Sequence, residues 1–273
     1  MIRIGNQTAF SAARLLDPFE FALANRFDAF EWFPDKKPSG AGWDETDLGL
    51  EVRREIRAAA RRHGVRLSVH ARCQANPLDP AAWPFLQADL ELARDLGASL
   101  LNVHLDAAQG VATYVAAIEP LVKVTANAGL QLAIENTVFT GPEDFNELFD
   151  RLRGLRRVPT THVGMCLDIG HANLYAGTRN DYLGFVSRLA PTVPILHLHL
   201  HENWGDADTH LPLFTGPAAL DATGLFQLCA QLRRRGYGGS IILEQWPQPP
   251  DLLSYARDRL QAILASDPTP VLR

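Results

Sequence analysis

The sequence predicts a single (β/α)8 barrel, a parallel sheet of eight strand and helix units that takes in residues 1–273 as one domain. Three observations predict it. The 273 residues exceed the commonest domain size, match the usual length of one such barrel, and show no composition break. Short apolar, β-branched runs alternate with longer helical segments. Seven strand-like segments also finish on an acid or a histidine: AFE at Glu31, SVH at His70, NVH at His104, AIE at Glu135, CLD at Asp168, HLH at His199 and ILE at Glu244. Metal-type side chains recurring at strand carboxyl ends point to one site at the open face of a barrel.

Taken in order, the strands are expected to end near Asn6, Trp32, His70, His104, Glu135, Asp168, His199 and Glu244. Between them, DLGLEVRREIRAAARRHG sets Leu48, Val52, Ile56 and Ala59 on one stripe and arginines on the other face. DLELARDLG, YVAAIEPLVKVTANAG and LFQLCAQLRRRGY have the same character, so these helices should cover the outside of the barrel. Gly64, Gly97 and Gly129 stand where a helix can end in the left-handed conformation, just before the next strand. The arginine runs at Arg61 and Arg62, Arg156 and Arg157, and Arg233 to Arg235 read as solvated helix ends that offset the negative end of the helix dipole. Helix ends feed strand starts, so these clusters belong on the face opposite the site.

Composition narrows the function classes. A net charge of −5 argues against nucleic acid or an anionic membrane as partner. Cys73, Cys166 and Cys229 are far apart and form no CxxC spacing, as expected of a reduced, cytoplasmic protein. MIRIGNQTAF lacks a basic segment followed by a long apolar run, and no stretch of about 18 apolar residues follows, so neither export nor a membrane span is expected.

The site residues gain meaning together. A lone strand-end histidine such as His70 is more often structural than a ligand, but matched ends on successive strands are hard to explain that way. Carboxylates buried side by side cost several kcal/mol unless a cation or hydrogen bonds offset them, so Glu135, Asp168 and Glu244 imply a shared positive charge. In CLDIGHAN, Asp168 ends a strand and His171 follows three residues later, which turns both toward one centre. In ILHLHLHEN, alternation puts His197, His199 and His201 on one face; His199 is the expected ligand, with His197 deeper and His201 behind the ligands or against substrate. WGDADTHLP adds Asp208 and His210 on the following loop.

IEN at Glu135 and Asn136, LDIGHAN, the HLHEN segment, DTHLP and the final LEQ at Glu244 together resemble the xylose isomerase-like TIM barrel superfamily over nearly the whole chain. That superfamily includes sugar isomerases and epimerases and endonuclease IV-type apurinic endonucleases. The resemblance implies two site models. In the epimerase model one divalent ion is held by Glu135, Asp168, His199 and Glu244; the two glutamates move protons through an enediolate, and His171 touches the substrate. In the endonuclease model three zinc ions use His70, His104, Glu135, Asp168, His171, His199, Asp208, His210 and Glu244. The chain departs from both. HARCQANPLDP lacks the longer tyrosine-containing motif of the endonucleases, and Asp208 to His210 stand where some epimerase relatives carry an arginine.

The expected function is thus isomerisation or epimerisation of a sugar or related polyhydroxy compound with one to three divalent ions, Mn, Mg, Co or Zn. The alternatives are a tri-zinc phosphodiesterase and a non-catalytic metabolite-binding barrel. The loop cations Arg14, Lys36, Lys37, Arg72 and Arg179, opposed by Asp106, Glu202, Asp206 and Asp251, are too few for several phosphates. Lys36 and Lys37 read as a solvated loop, and Cys73 as a small buried thiol. Trp32, Phe33, Trp83, Trp204 and Trp246 fall near the loops; Trp204, Asn136 and His201 are the expected substrate contacts. Barrels of this type often form homodimers, but no segment identifies an interface.

Overall fold

A computed structural model describes residues 2–37, 39–155 and 158–266. Its strands are β1 (Arg3–Gln7), β2 (Ala29–Trp32), β3 (Arg66–His70), β4 (Leu100–His104), β5 (Gln131–Glu135), β6 (Val163–Asp168), β7 (Ile195–Leu200) and β8 (Ser240–Leu243). All neighbours pair in parallel, and β8 closes on β1. The helices are α1 (Asp17–Ala24), α2 (Leu50–His63), α3 (Trp83–Leu96), α4 (Val111–Ala128), α5 (Pro142–Arg153), α6 (Ile169–Leu174), α7 (Tyr182–Arg188), α8 (Pro217–Leu220), α9 (Thr223–Arg234) and α10 (Asp251–Ala265). This is the expected barrel, with every strand ending within one residue of its expected position.

Local chemistry accounts for the boundaries. Gly64, Gly97 and Gly129 end α2, α3 and α4 at φ near +68°, a conformation that costs glycine little. Each is followed within three residues by a strand whose outward side chains are Leu, Ile or Val. Leu67, Val69, Leu101, Val103, Leu132, Ile134, Leu198 and Ile241 form the apolar layer against the helices. The inward column is different: a small apolar plug of Leu100, Ala133 and Cys166 lies within it, whereas Glu31, His70, Asn102, Glu135, Asp168, His197 and His199 are buried polar groups.

Register stacks that column. His104 pairs with Glu135, Asp168 with His199, and Gln7 with Glu31. Because alternate residues face inward, the pairing delivers these side chains to the carboxyl end of the barrel together.

Several expectations at the periphery change. Arg61 and Arg62 are exposed at the end of α2 as expected. Arg233 and Arg235 are partly buried and donate to the terminal carbonyls of other helices, Arg233 to Leu264 and Ser266 and Arg235 to Ala190 and Leu189; Arg156 and Arg157 lie outside the described residues. Cys73 is exposed, not buried, because it sits on the loop after β3; Cys166 and Cys229 are buried, and all three are free. No helix among the described residues is long and apolar enough to cross a membrane.

Candidate metal centre

Six of the nine histidines gather at the carboxyl ends of the strands, and His197 lies beneath them. Three neighbouring groups have donor atoms within 4.8 Å of one another: His70, His104 and Glu135; Glu135, Asp168, His199 and Glu244; and His171, His201, Asp208 and His210. Glu135 belongs to the first two. Its Oε2 lies 3.0 Å from His70 Nε2 and accepts from Asn102 Nδ2, while its Oε1 lies 3.2 Å from His199 Nδ1. Glu244 Oε1 is 3.1 Å from the same His199 nitrogen, and Asp168 Oδ2 is 3.8 Å from it.

Backbone carbonyls fix the tautomers of three histidines. His70 Nδ1 lies 2.6 Å from Ala71 O, His171 Nδ1 2.8 Å from Asn136 O, and His210 Nδ1 3.0 Å from Glu244 O. Each Nδ1 must donate there, so a neutral ring presents a bare Nε2 lone pair. Those lone pairs face carboxylates: Glu135 for His70, and Asp208 for His171 at 3.3 Å and His210 at 3.4 Å. A lone pair aimed at a carboxylate is repulsive unless a proton or a metal ion stands between them. This is the usual arrangement of a histidine ligand, whose far nitrogen donates to a carbonyl or carboxylate.

Electrostatics give the same result. Burial pushes Glu135 up, but His199, His70 and His104 hold it well below the ordinary carboxylate range. Burial raises Asp168 too, and His171 and His201 outweigh it. Glu244 goes the other way: burial and the repulsion of Asp168 and Glu135 exceed the pull of His199, leaving it near 8. Against the cost of burial, the surrounding acids carry His171 and His199 well above the ordinary histidine value, and His210 to about 9. His104, with desolvation and three neighbouring histidines against its charge, is pushed down to about 4. Without metal, the histidine protons neutralise the carboxylates.

The residues fit divalent metal. Asp168 Oδ2 and both ring nitrogens of His201 are buried without a hydrogen-bond partner, a costly state that coordination would relieve. The donor set is imidazole and carboxylate, which suits Zn, Co or Mn. Beneath it, His197 Nε2 hydrogen-bonds Glu31 Oε2 at 2.9 Å, and Glu31 Oε1 lies 2.7 Å from His199 Nε2, which turns His199 Nδ1 toward the centre.

The expected substrate contacts are placed differently. Asn136 is fully buried; its Nδ2 donates to Asp168 O and its Oδ1 accepts from Asp168 N, both at 2.8 Å, so it positions Asp168 and is turned away from the cleft. Trp204 is half exposed and lines a side cavity of about 390 Å³ with Asn173, Tyr182, His201, Leu213 and Leu225, apart from the cleft that reaches Glu244. Of the other aromatics, Trp32 packs in the core on Phe19, Phe30 and Trp43. The cleft that reaches Glu244 and His210, about 470 Å³, is lined by Gln7, Phe10, Phe33, Gln245 and Trp246. Of these, sequence reasoning missed Gln7, Phe10 and Gln245 as wall residues. Gln245 follows a ligand-type strand end directly, and Asn102 precedes His104 by one strand period, so both carried a usable signal.

Four of the five loop cations of this face are neutralised, and Arg179 is exposed with no ion pair among the described residues. Arg14 pairs with Asp17 and Glu20, Lys36 with Asp47, Lys37 with Asp35, and Arg72 with Asp89 and Glu45.

A family profile described as xylose isomerase-like TIM barrel matches residues 19–263, and the chain belongs to that family. A protein of uncharacterised function from Sinorhizobium fredii, y4fM, is 28% identical over 235 residues, covering 72% of this chain and 71% of its own. Among solved structures, a D-tagatose 3-epimerase-like protein superposes with a TM-score of 0.73 at 19% identity, over 96% of this chain and 98% of that one. A D-psicose 3-epimerase crystallised in the presence of D-fructose does so with a TM-score of 0.70 at 14% identity, over 97% and 100%. At such identities these likenesses establish the fold.

Proposed function

We propose that the chain is a divalent-metal-dependent isomerase or epimerase acting on a sugar or related polyhydroxy compound through an enediolate. The observation that carries this reading is the pair of buried glutamates, Glu135 and Glu244, whose Oε1 atoms lie 3.2 and 3.1 Å from the same His199 nitrogen, so that both carboxylates face one centre. Two carboxylates on one centre can take a proton from one face of a substrate carbon and return one to the other. The two glutamates flank the substrate: one takes the proton from the carbon beside the carbonyl, and the other returns a proton drawn from solvent. A divalent ion held by Glu135, Asp168, His199 and Glu244 would polarise the carbonyl and its neighbouring hydroxyl oxygen.

The cleft is sized for a small molecule, and the amide of Gln245 is buried there with neither end hydrogen-bonded, free for substrate hydroxyls. His171 is engaged by Asn136 and Asp208, which favours a ligand role for it over the substrate contact first expected. The names of the epimerase neighbours agree with this reading.

A second reading, a multi-zinc phosphodiesterase, is favoured by the two further histidine groups, His70 with His104 and His171 with His210. The paired cations at the mouth weigh against a polynucleotide, whose binding needs free positive charge.

The test is proton exchange. Metal-loaded protein is incubated with a ketose panel in deuterium oxide, and NMR follows the hydrogen on the carbon beside the carbonyl. Exchange with at least one ketose, absent in Glu244→Gln, is the expected result. No exchange across the panel, together with turnover of bis(p-nitrophenyl) phosphate, would replace this reading with the phosphodiesterase. No turnover of either kind would favour a binding protein.

A further inference from the structure

His201 has no place in either arrangement drawn from the family resemblance, yet its surroundings are specific. Its side chain is completely buried, and neither ring nitrogen has a hydrogen-bond partner. The Nε2 atom lies 3.7 Å from Asp208 Oδ1 and 3.4 Å from Asp168 Oδ1. The ring stacks on His210 with 3.8 Å between centroids and 9° between planes, so the Nε2 edges of both rings face the same Asp208 carboxylate. Room for the ring is made by a missing side chain: a Cβ on Gly170 would stand 1.9 Å from His201 Cε1.

The loop that supplies the other donors is equally constrained. Residues 202 and 211 form an antiparallel bridge, Glu202 N to Leu211 O at 3.0 Å and Leu211 N to Glu202 O at 2.8 Å, which folds the intervening segment back over α6. His210 takes a left-handed backbone, φ +45°, uncommon for a residue with a side chain, and so donates Nδ1 to Glu244 O.

We infer that His201 is a metal ligand and that, with His171, Asp208 and His210, it forms an outer site of four protein donors which holds the loop after β7 to the first turn of α6. Three imidazoles and one carboxylate match the four-coordinate preference of zinc or cobalt, whose coordination the four donors then fill, whereas the three carboxylates and one imidazole of the inner group suit a six-coordinate ion with positions left for substrate. The site therefore anchors the loop; it does not take part in proton transfer. The inference does not rest on the sugar reaction, since the outer donors are distinct from Glu135 and Glu244.

The test uses the full chain stripped of metal and titrated with cobalt(II) alone, read by visible absorption and equilibrium dialysis. The native chain should give the intense visible bands of a four-coordinate ion. His201→Asn should weaken that binding at least about tenfold and dim the bands, as water replaces imidazole. Gly170→Ala, which displaces His201 without removing it, should do the same, whereas Glu244→Gln should keep the bands. Thermal melting of the metal-free variants separates misfolding from ligand loss. Unchanged affinity and spectrum in His201→Asn, or bands lost in Glu244→Gln and kept in His201→Asn, would overturn the assignment. Cobalt should also slow proteolysis within residues 203–210 of the native chain and not of His201→Asn; equal cleavage would remove the anchoring role. Failure of the ketose assay leaves every one of these readouts intact.

Discussion

The two halves of the centre are held by different means. His70, His104, Glu135, Asp168 and His199 stand on strands or strand ends, where ladder register sets their positions. His171, Asp208 and His210 stand on a short helix and a loop, where individual hydrogen bonds and one two-residue bridge hold them. The first half is as rigid as the barrel. The second depends on a few removable contacts, so substitutions should separate the two.

The largest effect is expected from Glu135→Ala, which removes the ligand shared by two groups, leaves His70 without its buried carboxylate partner and takes one of several from His199. Metal content should fall in both strand-borne groups, proton exchange should drop by about 10²- to 10⁴-fold, and urea unfolding should show a loss on the order of 3–5 kcal/mol. A metal count that falls only in the outer group would break the comparison.

Asn136→Ala comes next. It deletes two buried hydrogen bonds to the Asp168 backbone, and a destabilisation of about 2–3 kcal/mol with about 10- to 100-fold weaker metal binding is expected by denaturation and dialysis. Unaltered metal affinity would mean that the β6 ladder alone positions Asp168.

Glu202→Ala sharpens the contrast. Its carboxylate accepts from the backbone N–H of Phe214, Gly216 and Ala218, so its loss should loosen the loop, cost about 1–3 kcal/mol, and release metal from the outer group while the strand-borne groups keep theirs. Metal analysis at increasing chelator concentration reads the order of release.

Proton release is a smaller effect with a definite sign. In the metal-free chain Glu244 stays protonated up to about 8 and His210 up to about 9, so metal uptake at pH 7 must expel protons. A weakly buffered solution should acidify on metal addition, and affinity should fall as pH is lowered from 8 to 6. The smallest effect is expected for Lys36→Ala, within about 0.5 kcal/mol and with exchange activity unchanged, because Lys36 is spent on Asp47 at the surface.

The strand-borne half was legible in the sequence because alternation, strand ends and register follow one period. All seven strand-end acids and histidines sat on the inward face, and the (β/α)8 closure followed from the eight strand ends and the helix stops at Gly64, Gly97 and Gly129. The loop-borne half was legible less directly, as an Asp-x-His pair after a histidine-rich strand, since no period relates Asp208 and His210 to the barrel. Contacts decided by packing stayed hidden. The Asn136 amide turns inward to Asp168, Trp204 turns to a side cavity, and the space for His201 depends on the absence of a Cβ at Gly170. Arg72 looked like a free cation because its partner Asp89 lies 17 residues on, inside α3.

Elemental analysis of the chain purified without chelator, alongside Glu135→Ala, tests the central claim most directly. The account predicts at least one divalent ion per native chain and its loss in the variant. A native chain free of metal, with the same melting temperature in the presence and absence of added zinc, manganese or cobalt, would contradict it.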